Sequence, residues 1–274
     1  MPSFHIHPDV WLLFGSILAL YFVGIRRHLR ATGEATPIRR QRLFTLGVTI
    51  LLLASSWPMH DLAERYLYSF HMTQHMLFTL VAAPLLIAGV PVWLYRELLR
   101  PKFVRTLFRF FTRPLVALIV FNTVLVFTHW PAVVAASVQS EPLHFVIHVA
   151  VVGSALAMWW PVVSPLPEMP PLSPPGQMIY LFLQSLVPTI PASFLTFGSK
   201  PLYPIYATFP RIWGVGVMTD QLMAGLIMKI VGSAILWVVI AAIFFRWYAA
   251  EQRSDLDATA YADVDRAIRA EMRR

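Results

Sequence analysis

The chain has 274 residues, 57% of them hydrophobic and only 13% charged, and its mean hydropathy is +0.62. Soluble domains carry about 25% charged residues, so the composition excludes a soluble globular protein and points to an integral membrane protein. There is no cysteine, which excludes disulfides, thiolate metal sites and iron–sulfur clusters.

An apolar run of about 20 residues is long enough to cross the hydrocarbon layer as a helix. Such runs occur at 9–25, 42–58, 70–90, 114–130, 142–160, 177–198 and 219–245. They predict an all-α, polytopic protein with seven transmembrane helices. The start, "MPSFHIHPDV", lacks the basic stretch of a cleavable signal peptide; the cluster "RRHLR" follows the first span instead. The first span is therefore expected to be retained. The stretch "PVVSPLPEMPPLSPPG" carries seven prolines within 161–175 and is expected to be an extended connector without helix. Pro188 and Pro191 should kink the sixth span. No period of 20–50 residues repeats along the chain. Residues 1–250 are read as the membrane domain and 251–274 as a charged cytoplasmic tail with a short, weak helix.

The formal net charge of +8 is unevenly spread. Six Lys or Arg lie in 26–42, six in 96–113 and six from Arg246 onward. In a seven-span chain these segments share one side. Basic residues stay on the cytoplasmic side, so the N-terminus is expected outside and the C-terminus in the cytoplasm. The basic balance thus reads as a topology signal with some attraction to anionic lipid, and no nucleic-acid role is expected.

On this topology eight of the nine histidines fall on the outer side. His71 and His75 open the third span, and His144 and His148 open the fifth. Each pair is spaced i,i+4 and so shares one helix face. His129 ends the fourth span, His60 follows the second, and His5 and His7 precede the first. A single histidine at a helix end is usually an interfacial residue. Five at matching depth on three spans point to a shared pocket, because polar groups inside a membrane are costly and face the bundle interior. Imidazole is the commonest metal-ligating side chain. Met59, Met72, Met76, Met218 and Met223 gather on the same side, with Met228 deeper. Imidazole and thioether without thiolate suit copper, above all Cu(I), with zinc second. Met72 and Met76 point about 100° away from the histidines they follow, toward a different face.

"HMTQH" is not the H-E-x-x-H of a metalloprotease, because no carboxylate stands between the histidines. Glu141 and Asp220 are the outer acids near span ends. Either could orient a ligating histidine, or Asp220 could cap its own helix. Lys229, near the middle of the seventh span, has no evident acidic partner in sequence.

The run "HDLAERYLYSFHMTQHMLFTLVAAPLLIAGVP" (60–91) resembles the CtaG-type cytochrome c oxidase assembly factors, seven-helix bacterial membrane proteins. So do "THWP" (128–131), "LHFVIHV" (143–149) and "DQLMAGLIM" (220–228). The resemblance implies copper supply to the catalytic subunit of a heme–copper oxidase, in a bacterial inner membrane and without catalysis. It places the family's histidines on His60, His71, His75, His129, His144 and His148, and its acidic position on Asp220. Two positions depart from the family pattern: Trp130 follows His129 instead of preceding it, and Lys229 stands where an aromatic residue is frequent. A copper donor protein on the outer side would be a second partner. The rival readings are a b-type cytochrome using His75 and His148 as axial ligands, a metal or solute transporter, and a zinc hydrolase using Glu141 or Asp220 as general base.

Overall fold

The computed structural model describes residues 7–272, so His5 lies outside the described residues. These residues fold as helices and connecting segments, with no strand among them. Helix α1 (Pro8–Thr32) opens with Pro8 in its first turn, where a missing N–H costs nothing, and ends on Gly33 at φ 75°, a left-handed residue that glycine adopts without strain. It rests on α2 (Ile38–Ala54) and buries only Tyr21 and Ile25. Beyond a break at 55–58 the chain resumes as α3 (Met59–Arg65), bent 44° from α2. Then comes the central helix α4 (Tyr68–Gly89), which packs against α2, α9 and α11.

Short helices α5 (Val92–Leu98) and α6 (Lys102–Phe111) lead to α7 (Pro114–Thr128), which departs from α6 by 76°. Helix α8 (Pro131–Val138) turns the chain into α9 (Glu141–Val163). Helix α10 (Pro174–Phe197) is interrupted at Val187–Pro188, as the prolines predict, and α11 (Val217–Arg253) closes the bundle. Its helical conformation continues to Glu271.

Among the described residues, five helices are long and apolar enough to cross a membrane: α1, α4, α9, α10 and α11. The bent pairs α2–α3 and α6–α7 bring the number to seven if each is one span. Hydropathy placed single spans at 42–58 and 114–130. The structure instead gives helices of 17 and 15 residues there, about 25 and 22 Å long at 1.5 Å per residue. The bends use the residues that sequence averaging smooths over.

The proline-rich segment also differs from expectation. Pro161 sits inside α9, and the helix runs to Val163. A proline in the last turn forfeits one hydrogen bond. The Pro161 carbonyl is taken by the Leu172 N–H at 2.8 Å, and Arg96 pins the connector through Glu168 at 2.7 Å. Only 164–173 is free of helix.

Two helices carry a π-helical turn, Leu77–Ala82 in α4 and Ile227–Val231 in α11. The first has a visible cause. Pro84 has no N–H for the Leu80 carbonyl, and widening the turn sends the Ala83 N–H to the Phe78 carbonyl, five residues back. The Thr79 carbonyl is then passed over by both its helical partners. Trp159 of α9 supplies the missing donor, Nε1–H to Thr79 O at 2.7 Å. Close approach fixes the remaining contacts. A Cβ on Gly89 would stand 2.3 Å from the Phe44 amide nitrogen of α2, and one on Gly225 would stand 2.9 Å from the Ala192 carbonyl of α10.

Candidate metal centre

The amino ends of α4 and α9, the carboxyl end of α7, the start of α11 and helix α3 meet at one end of the bundle. All six histidines that the sequence singled out collect there. His71 and His75 lie 4.3 Å apart, ring centre to ring centre, and His144 and His148 lie 4.1 Å apart. The pairs face one another: His75 is 5.4 Å and His71 6.0 Å from His148, and His71 is 5.9 Å from His144. The i,i+4 spacing therefore does bring four imidazoles from two helices into one nest.

Within it, ligand nitrogens of His71, His75 and His148 lie within 4.8 Å of one another. His71 Nδ1, His75 Nε2 and His148 Nε2 are buried without a hydrogen-bond partner. Buried polar atoms are normally paired, so three unpartnered nitrogens this close together form a set that could hold a metal ion. A metal bound at about 2.0–2.1 Å from each nitrogen asks these rings to close by about an ångström.

His129 stands beside this triad, 5.8 Å from His75. Its Nδ1 is 2.7 Å from the Leu125 carbonyl. That contact fixes Nδ1 as the protonated nitrogen and leaves Nε2, also buried and unpartnered, as the lone pair. The Tyr203 hydroxyl donates to the His129 carbonyl at 2.8 Å, locking the end of α7.

His60 and His144 belong to a second group. Their Nε2 atoms lie 3.1 and 2.6 Å from one oxygen of Glu64. Sequence reasoning missed Glu64. It named Glu141 and Asp220 as the available outer acids, whereas Glu141 is exposed on the first turn of α9. The signal was present in "HDLAER": His60 and Glu64 are themselves an i,i+4 pair on a helix. His7 extends the file, 4.9 Å from His60 and within 3.0 Å of an Asp61 oxygen.

Asp220 takes a supporting place. It is fully buried, and its two oxygens accept the backbone N–H groups of Tyr68 and Ser69 at 2.8 and 3.0 Å. These are the orphan donors at the start of α4. So Asp220 caps a helix, but a helix 150 residues away in the chain and not its own. A carboxylate there also meets the positive end of the helix dipole, and it anchors the turn from which His71 and His75 project. Gln221 does similar work for the neighbouring loop, accepting from the Leu202 and Tyr203 N–H groups.

Next to the histidines an apolar cavity lies between α4, α7, α9, α10 and α11, with His75, His129, Met76, Met158 and Met228 among its lining. Met72 is packed in the core, while Met218 and Met223 are exposed. The thioethers thus form no single sphere with the imidazoles. Deeper polar residues pair with one another: Asn122 donates to Gln184 at 2.7 Å, and Gln184 to the Tyr180 hydroxyl at 3.0 Å, while Asn122 Oδ1 stays unpartnered. Lys229 has a partner that sequence could not name, the face of Phe197 at 5.2 Å, a cation–π contact.

Fold and site together define a polytopic helical membrane protein with a polyhistidine centre built between its helices. The profile of the cytochrome c oxidase caa3 assembly factor family (Caa3_CtaG) matches residues 19–250. The chain belongs to that family. Comparisons with curated proteins and with solved structures gave no match. The membership agrees with the resemblance read from the short motifs and makes the oxidase the implied partner.

Proposed function

We propose that this protein binds copper at His71, His75 and His148 and supplies it to the catalytic subunit of cytochrome c oxidase during assembly. The observation that carries the reading is the set of three buried, unpartnered imidazole nitrogens within 4.8 Å of one another. Three neutral imidazoles with no thiolate and no carboxylate favour Cu(I), with zinc the weaker alternative. Copper here is cargo, so the protein acts by ligand exchange and not by catalysis. His129, next to the triad with a free Nε2, offers a further ligand as the ion arrives or departs. By the positive-inside rule this end of the bundle faces outward in a bacterial inner membrane. There the ion would be received from a donor and passed on without crossing the bilayer.

The cytochrome reading is less well supported. Bis-histidine haem needs a flat slot between its two imidazoles, and His71 occupies the neighbourhood of both His75 and His148.

The test is metal analysis and a visible spectrum of detergent-purified protein beside a His71→Ala/His75→Ala variant. Near-stoichiometric copper that the variant loses, with no haem band, supports the reading. A haem spectrum, or no copper even after loading with Cu(I), overturns it.

A further inference from the structure

The buried triad does not use Glu64, His60 or the Nε2 atom of His144, and these three side chains form a cluster of their own. Their ligand atoms lie within 4.8 Å of one another. His60 and Glu64 come from successive turns of α3, and His144 from the first turn of α9. Both imidazole Nε2 atoms converge on the same Glu64 oxygen, at 3.1 and 2.6 Å. Yet neither Glu64 Oε1 nor His144 Nε2 finds a hydrogen bond of acceptable geometry, although both are buried atoms. A salt bridge built for its own sake would align donor and acceptor. Two imidazole nitrogens and a carboxylate oxygen gathered within 4.8 Å of one another form a donor set of the kind that holds a metal.

The environment separates this cluster from the triad. Glu64 and His60 side chains are 24% and 17% exposed, whereas His75 is 4% exposed. The cluster's Glu64 and His60 edge is thus partly open, while His144 on its inner side is buried. Its other imidazole neighbours are His7 on one side and, on the other, His148 and His71 of the triad, 4.1 and 5.9 Å from His144. His144 and His148, one helical turn apart, put one nitrogen in each centre. Gln74 contacts His60 Nδ1 at 3.4 Å and is held by the Ala54 carbonyl at 2.8 Å, so the inner edge of the ring is also set.

We propose that His60, Glu64 and His144 form a second metal site, distinct from the imidazole triad, that takes a divalent d-block ion. Two imidazoles and a carboxylate are a borderline-to-hard donor set. It suits Cu2+ or Zn2+ with a fourth position left to water, and it disfavours Cu(I). The all-imidazole triad has the opposite preference. The site rests on the reading that this end of the bundle handles metal, but not on the triad being occupied.

The experiment titrates full-length protein in detergent with Cu2+, counting bound metal by mass spectrometry and reading the electron paramagnetic resonance spectrum. Wild type, Glu64→Gln, His60→Gln and His71→Ala/His75→Ala are compared, with size-exclusion profiles to certify the fold. His60→Gln stands in if Glu64→Gln does not fold. In the double variant, one Cu2+ per chain should persist with a two-nitrogen hyperfine pattern. Glu64→Gln and His60→Gln should each abolish that signal. If the triad reading alone fails, wild type binds one Cu2+ and Glu64→Gln binds none. Cu2+ binding unchanged in both Glu64→Gln and His60→Gln overturns the second site. So does complete loss of Cu2+ in the folded double variant, because the clusters would then be one centre.

Discussion

Replacing Asp220 with asparagine separates two roles that sequence alone leaves open, metal ligand and helix support. In the structure both carboxylate oxygens accept backbone N–H groups of the first turn of α4, at 2.8 and 3.0 Å. Hydrogen bonds to a charged group contribute about 1.5–3 kcal/mol each, and an orphaned buried donor costs about 1–3 kcal/mol. Asparagine keeps one acceptor oxygen but turns an NH2 group toward the second donor, and it removes the charge at the helix dipole. The expected loss is about 2–4 kcal/mol. At about 2–4 °C per kcal/mol for a chain of this size, thermal unfolding in detergent should begin roughly 4–15 °C lower. Below that transition the folded variant should still load copper, with an affinity weakened only as far as the first turn of α4 loosens. If Asp220→Asn unfolds like wild type but loses its metal outright, Asp220 is a ligand and the capping argument is refuted.

Three further outcomes follow from the same geometry. Trp159→Phe removes the donor that serves the Thr79 carbonyl and should cost about 1–3 kcal/mol of stability, seen as a lower unfolding midpoint with metal content unchanged; an unshifted midpoint would show that water or relaxation satisfies the carbonyl. Copper occupancy should fall on acidification, because proton and metal compete for the same imidazole lone pair; equilibrium dialysis in which the folded protein keeps its copper at every acid pH tested, down to about pH 2, would exclude imidazole ligation. Helix α6 buries no residue and mixes Lys102, Arg105 and Arg109 with exposed Phe103, Leu107 and Phe110, the make-up of a helix lying at a membrane surface. Arg105→Glu/Arg109→Glu should reduce the anionic lipid that copurifies with the protein, measured by extraction and mass spectrometry, and equal lipid content would assign those arginines to topology alone.

Much of this molecule was legible in one dimension because two periodicities carry it. Twenty-residue apolar runs located the helices, and i,i+4 spacing brought His71, His75, His144 and His148 together. The unread parts depend on partners far away in the chain. Glu64 looks like an ordinary acid in the charged stretch "HDLAER" until His144 arrives from α9. Asp220 looks like a cap for α11, in whose first turn it lies, and its true partner is the start of α4. The site that sequence drew as one set divides in two because α3 and α4 are separate helices, and no hydropathy average could see the turn between them. Pro161 read as a helix terminator because nothing local shows that Leu172 returns to its carbonyl. His7 gave no signal at all beyond its identity, since its closeness to His60 depends on how α1 leans on α2.

The cap supplied by Asp220 also imposes an order in time. Chains are made and inserted from the amino end, so α4, with two of the three triad imidazoles, is synthesised long before α11. Until α11 takes its place, the first turn of α4 lacks the carboxylate that holds its N–H groups. The six clustered histidines are all present by the end of α9, yet the turn that aims two of them is finished only when α11 arrives. A chain that stops short of Val217 carries the full complement of imidazoles without the fixed arrangement. The arrangement at this end of the bundle thus waits on α11.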